Sequence, residues 1–206
     1  MTERMRGPIV IGPYDTVARL SRAPVGAIHE SPVPVEGGTM ETKTIGNRIL
    51  ILGCPGSGKS TLARALAART GLPLVHLDTV WWRADGTHIS REAFDQALDA
   101  LLRGEKWIMD GNYSRTIEVR LQAADTAIFL DYPESVCMDG ITARVGEARS
   151  DMPWAETALD PELVALVRNY ARDDRPQVLA LLQKYPEKRS LIFTSREEAD
   201  RWLSEL

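Results

Sequence analysis

Beyond about residue 45 the chain alternates two kinds of segment. Short runs are apolar at every position, and longer stretches carry apolar residues every three or four places. Residues 49–52 (Ile-Leu-Ile-Leu) form the first run. A helical period follows over Lys59–Thr70, with Leu62, Ala63, Leu66 and Ala67 on one face and Gly71 as its stop. Residues 74–77 are a second run ending at Asp78, and Ser90 can cap a helix through about Arg103, with Phe94, Ala97, Leu98, Leu101 and Leu102 inward. Residues 107–109 form a third run ending at Asp110, and residues 127–130 a fourth ending at Asp131. Helical patterns cover about 135–145, 161–171 (with Asp160-Pro161 as cap and first residue) and 176–185. Residues 191–193 make a last strand, and Ser195-Arg196-Glu197-Glu198 is a capping box for a final helix. Fully apolar strands separated by helices predict a parallel sheet of about five strands, covered on both faces: a three-layer α/β fold.

In such sheets ligands bind at the carboxyl ends of the strands. Here those ends carry Asp78, Asp110, Asp131 and, after the first strand, the octapeptide Gly53-Cys54-Pro55-Gly56-Ser57-Gly58-Lys59-Ser60. It matches G-x-x-x-x-G-K-[ST] between a strand and a helix, the context that this motif requires. Its glycines permit a sharp turn. The loop amides and the helix N-terminus then face a polyphosphate. Lys59 is expected to reach the β- and γ-phosphates of ATP and Ser60 to sit on Mg²⁺, with Thr61 completing the cofactor-binding set.

Transfer of a phosphoryl group also needs a carboxylate near the metal, a group to orient the acceptor, and cations over the transferring group. Asp110, in Trp-Ile-Met-Asp-Gly-Asn-Tyr-Ser-Arg-Thr, is the favoured metal-side carboxylate, acting directly or through water, with Asp131 as the alternative. Asp131, followed at once by Tyr132-Pro133, can equally start the next helix. Asp78 is placed to accept a proton from an acceptor hydroxyl, and Arg115 to clamp an anionic acceptor. Trp81 and Trp82 are read either as a stacking platform or as a hydrophobic plug. Arg144 and Arg149 flank Gly146 in a short segment where a lid would lie; a solvated turn balanced by Glu147 and Asp151 is the competing reading. Arg120, Arg168, Arg172 and Arg175 are expected on the surface.

The first 45 residues differ from the rest. Prolines at 8, 13, 24, 32 and 34 and the stretch Pro-Val-Pro-Val-Glu-Gly-Gly lack any helical or strand period, so residues 1–45 are expected to be a disordered extension and 46–206 the folded domain. Met40 precedes the folded part, and one reading makes residues 1–39 an upstream extension of the reading frame. Across all 206 residues, 44% hydrophobic and 26% charged residues suit a globular domain. A net charge of −4 gives no basic footprint, so a nucleic-acid partner is not expected. No apolar stretch approaches the roughly 20 residues of a membrane helix. Two cysteines and three scattered histidines offer neither a disulfide framework nor a metal spacing, and a cytoplasmic location is expected. Cys54 is read mainly as a small residue that fits the loop, although a helix N-terminus lowers a thiol's pKa.

The order Gly-Cys-Pro-Gly-Ser-Gly-Lys-Ser-Thr, His-Leu-Asp with two tryptophans, Trp-Ile-Met-Asp-Gly-Asn-Tyr and Ala-Asp-Thr-Ala-Ile-Phe-Leu-Asp-Tyr-Pro resembles the P-loop proteins described as DNA topology modulation or FlaR-like, within the adenylate-kinase-like group. The likeness extends over about residues 48–206, including Arg149-Ser150-Asp151-Met152-Pro153-Trp154. It implies a P-loop NTPase fold of nucleoside-monophosphate-kinase type with a short lid, and a phosphotransferase using ATP and Mg²⁺ on a small acceptor. A regulatory ATPase without an acceptor is the alternative. By the same likeness Asp110 and Arg115 inherit metal-holding and acceptor-binding roles and Arg144 matches a lid-base arginine. Gly140 stands where adenylate kinases place an arginine on the donor adenine. Oligomeric state is not legible.

Overall fold

The computed structural model describes residues 45–147, 151–152 and 157–206. The extension read over residues 1–45 lies outside them except for Ile45. That side chain is buried, and its carbonyl accepts a hydrogen bond from the Thr126 hydroxyl. Arg149, Ser150, Pro153 and Trp154 of the lid reading also lie outside the described residues.

Five strands form one parallel sheet: β1 (Arg48–Gly53), β2 (Leu74–His76), β3 (Trp107–Asp110), β4 (Thr126–Leu130) and β5 (Arg189–Phe193), in the order β2-β3-β1-β4-β5. The eight α-helices among the described residues are α1 (Lys59–Thr70), α2 (Leu77–Trp81), α3 (Arg91–Leu102), α4 (Ile117–Ala123), α5 (Glu134–Ala143), α6 (Pro161–Asp173), α7 (Arg175–Lys184) and α8 (Arg196–Ser204). The expected three-layer α/β fold is the one observed. β1 lies mid-sheet, and Ile49, Leu50, Ile51 and Leu52 are wholly buried, as a central strand covered on both faces requires. β5 is an edge strand, and there the pattern alternates, leaving Ile192 exposed.

Where the chain enters the sheet, Asp125 ties β1 to β4. Its carboxylate accepts from the backbone N–H groups of Asn47 and Arg48 and from the Arg48 guanidinium. The expected caps are present at Ser90, Asp160 and Ser195. The last differs from a full capping box. Glu198 reaches past Ser195 to the N–H and hydroxyl of Thr194, one residue earlier.

Three boundaries differ from expectation. β2 stops at His76, because Leu77 and Asp78 already belong to the short helix α2. Asp78 therefore sits in a helical first turn and not at a strand end. Helix α4 was not foreseen, because the buried Arg120 interrupts its apolar face. The helix expected from Pro176 begins at Arg175, so Asp174 alone separates α6 from α7; Pro176, in the first turn, forfeits no hydrogen bond.

The loop after β1 meets α5 backbone to backbone. A Cβ on Gly56 would collide with the carbonyl of Cys137, and one on Gly140 would collide with the carbonyl of Gly56. An arginine at position 140 has no space. Helix propensity alone would favour Gly140→Ala by about 1 kcal/mol. Overpacking against an unyielding backbone costs about 1–3 kcal/mol. Gly140→Ala is therefore expected to lower the urea midpoint of unfolding. A raised midpoint would show that the loop yields.

Candidate active site

β1 ends in Gly53, and the chain turns through Gly56 (φ 80°) and Gly58 (φ 94°) before α1 begins at Lys59. These angles are costly for any residue with a Cβ. The Ser57 amide bonds back to the Cys54 carbonyl at 3.1 Å, closing the turn. Lys59 Nζ donates to the carbonyls of Gly53 (2.8 Å) and Cys54 (2.9 Å), so the ammonium lies across the loop. Burial pushes its pKa down, against the pull of Cys54, Asp110 and Asp78. Ser60 is half-buried and Thr61 exposed at the start of α1.

These residues fit a polyphosphate. The Ser57 hydroxyl is buried (1% exposure for the residue) without a hydrogen-bond partner among the described residues, inside the concave loop. A buried hydroxyl without a partner is uncommon in folded proteins and invites an explanation. No cluster of three metal-ligating side chains occurs among the described residues. Mg²⁺ does not need one, since it is usually held by one or two protein groups, waters and phosphate oxygens. Ser60 and Asp110 have that chemistry.

Asp110 ends β3 directly opposite His76 at the end of β2, and His76 Nδ1 lies 2.7 Å from its carboxylate. Burial alone would lower the imidazole pKa. The hydrogen bond and charge of Asp110, with Asp151 adding to them, outweigh it, and the pKa is raised. Asp151 is 2% exposed and pairs with Arg64 of α1. The reading that made Asp151 part of a solvated turn is therefore corrected.

Asp78 accepts a hydrogen bond from the Tyr113 hydroxyl at 2.9 Å. Tyr113 adopts a left-handed backbone (φ 33°), which is uncommon outside glycine and concentrates at functional sites. Its ring stacks on Phe94 and meets Trp81 edge-on. Trp81, stacked on His88, is buried in this cluster and acts as the hydrophobic plug; Trp82 is only half-buried.

The strained segment is held from below. Arg120, read from the sequence as a surface residue, is fully buried. Its guanidinium donates to the carbonyls of Gly111 (2.7 Å), Asn112, Tyr113 (3.2 Å) and Thr116 (3.2 Å). Burial pushes its pKa down to about 9, with Tyr113 and Asp110 pulling the other way. The Asn112 side chain in turn accepts from the Gly53 amide at 3.4 Å, linking this segment to the phosphate loop.

Other expected site residues are distributed differently. Arg115 makes a two-pronged pair with Asp95 of α3 (2.6 and 3.0 Å). Asp131 is engaged by Arg175 (2.7 and 2.8 Å), whose side chain stays partly exposed as expected. Arg144 caps the C-terminus of α5 and is half-buried. Arg149 lies outside the described residues. The thiols of Cys54 and Cys137, 83 positions apart in the chain, are hydrogen-bonded neighbours. That bond and burial push the Cys54 thiol pKa up, opposite to the lowering that a helix N-terminus exerts.

Two further groups had no obvious signal in the sequence. Arg196, the first residue of α8, donates to the Gly56 carbonyl (3.2 Å) and lies over the Tyr132 ring. It lines a groove of about 270 Å³ beside the loop, with Pro133, Val136, Asp139, Thr194, Ser195 and Glu197. Tyr170 of α6 brings its hydroxyl, through the packing of α6 on α5, into the neighbourhood of Cys54, Asp174 and Asp131.

A family model described as "ATPase family associated with various cellular activities (AAA)" matches residues 49–140. No curated protein matches. Solved structures similar to this chain include shikimate kinase from Bacteroides thetaiotaomicron (17% identity, TM-score 0.48, covering 77% of this chain and 94% of that one). A gluconokinase from Sinorhizobium meliloti 1021 is similar at 17% identity and TM-score 0.47, covering 78% and 89%. Shikimate kinase from Acinetobacter baumannii in complex with shikimate is similar at 15% identity and TM-score 0.54, covering 78% and 90%. The last of these shows a fold shared with this chain.

Arg120→Ala would strip charged donors from buried carbonyls, each such bond being worth about 1.5–3 kcal/mol. It is expected to destabilise the domain by at least about 3 kcal/mol in urea unfolding. A loss below about 1 kcal/mol would show that the 111–116 segment holds its shape unaided.

Proposed function

We propose that this chain is an ATP-dependent phosphotransferase that moves the γ-phosphoryl group to a small acceptor. The observation that carries the reading is a cradle shaped for polyphosphate, with Lys59 across it, at the carboxyl edge of a parallel sheet where Asp78 and Asp110 also act on Lys59. ATP supplies the phosphoryl group. Mg²⁺ would be held by Ser60 and, through water, by Asp110, and would neutralise phosphate charge.

In this reading the amides of residues 53–60 and the Ser57 hydroxyl bind the phosphates. Lys59 leaves its carbonyl partners for phosphate oxygens, and His76 holds Asp110 in place. The groove lined by Arg196 and Pro133 takes the base. Asp78, oriented by the Tyr113 hydroxyl, accepts the proton of the acceptor hydroxyl. The acceptor oxygen bonds to the γ-phosphorus, the bridging P–O bond to the β-phosphate breaks, and ADP leaves with the electron pair. Arg144 and Arg149 are assigned to the charge on the transferring group. Arg115, held by Asp95 in this structure, is the acceptor-side arginine of the sequence reading and would have to exchange partners to serve. The finer resemblance to FlaR-like proteins is supported by the Asp110-Gly111-Asn112-Tyr113 segment. The AAA match over residues 49–140 favours a second reading, an ATPase that drives binding or regulation without an acceptor.

Release of ADP from Mg·ATP, with and without a panel of small acceptors, separates the two. One acceptor should raise turnover at least about tenfold, and Asp78→Asn should remove that stimulation while ATP binding persists. Turnover indifferent to every acceptor would replace the kinase reading with the ATPase one.

A further inference from the structure

The groove of about 270 Å³ beside the phosphate loop runs between the start of α5 and the start of α8. Val136 and Asp139 of α5 line it, with Pro133 just before that helix. On the other wall stand Thr194, Ser195, Arg196 and Glu197. Arg196 is the one cation among these lining residues, and Arg144, at the far end of α5, is not one of them. The Arg196 guanidinium donates from Nη2 to the carbonyls of Gly56 (3.2 Å) and Val136 (3.4 Å). Its Nη1 stands 3.3 Å from the point where a Cβ on Gly58 would project, so the group also rests on the backbone just before Lys59. The Tyr132 ring lies 6.0 Å from the guanidinium carbon and does not line the groove. Arg196 is therefore held by two carbonyls and an aromatic ring while its side chain remains exposed at the groove. No ion pair engages it among the described residues.

We infer that Arg196 binds the nucleoside half of ATP, its planar guanidinium stacking on the base in this groove, and that it is not a phosphate-binding arginine. This rests on the reading of the loop as a nucleotide site and deepens it. Size favours a base: pockets for drug-sized ligands span about 300–1,000 Å³, and a space just below that range suits one ring system. Charge favours it too. Asp139 and Glu197 outnumber the single guanidinium, so a phosphate seated here would meet net negative charge, whereas an uncharged ring would not. A guanidinium is flat, delocalised and weakly hydrated, and it stacks on aromatic faces. Pro133 and Val136 add apolar surface for the same ring. The groove is also within reach of the cradle, because the group that lines it touches Gly56 and Gly58 of the loop itself. A side chain already held by two carbonyls loses little rotamer freedom when the base arrives.

The test is calorimetric titration of the full chain with Mg·ATP and with Mg·tripolyphosphate, which offers three linked phosphates without a base. The second ligand is also read by its displacement of ATP. Arg196→Ala should raise the Kd for ATP at least about tenfold, the scale of one base-stacking contact, and leave the Kd for tripolyphosphate within about twofold. Arg196→Lys keeps the charge and loses the plane, and should recover little of the ATP affinity. An equal loss for both ligands would show that Arg196 acts through the loop or the phosphates and would overturn the inference. ATP affinity unchanged in Arg196→Ala, or fully restored in Arg196→Lys, would overturn it as well. Each of these results leaves the nucleotide reading standing. An unaltered chain that binds neither ligand would overturn that reading and this inference with it.

Discussion

No side chain fits between Gly56 and Gly140, and the shape of the site depends on that contact. The loop after β1 rests directly on the backbone of α5, so its curvature is set by main-chain atoms that cannot change rotamer. Lys59 then crosses the loop to the Gly53 and Cys54 carbonyls, and Arg196 reaches Gly56 from the far side. A loop held at several points before any ligand arrives loses little conformational freedom on binding, and that is where preorganised sites gain affinity.

A second segment, from Asp110 to Thr116, is organised from beneath by a different device. Arg120 is a buried cation with carbonyl partners, an arrangement that replaces water by fixed dipoles. The strained Tyr113 backbone depends on it, and so does the hydroxyl that orients Asp78. The two segments meet where Asn112 touches Gly53. The loop after β1 and the 110–116 segment are thus parts of one supported surface.

Much of this was readable in the chain. Continuous apolar runs such as residues 49–52 could only be central parallel strands, and Gly-x-x-x-x-Gly-Lys-Ser after such a run located the cradle because glycine spacing and strand context are local properties. What was not readable depends on register and on distant packing. His76 faces Asp110 only because β2 and β3 pair in one particular alignment. Cys54 meets Cys137 only because α5 crosses the loop. Arg120 has the composition of a surface residue and becomes interior through partners 4 to 9 positions away, whereas Arg175 stays partly exposed and finds its carboxylate 44 positions away. Arg115 shows the reverse. Its position in the motif suggested a ligand contact, and a neighbouring helix supplies Asp95 instead.

The account stands on the loop being a nucleotide site formed by packing. The most direct measurement is calorimetric titration of the full chain with ATP in the presence of magnesium. It predicts saturable binding at one site per chain with a Kd in the micromolar range, about −8 kcal/mol, and loss of most of that affinity in Lys59→Ala. Absence of any binding heat at millimolar ATP, confirmed at a second temperature, would contradict it.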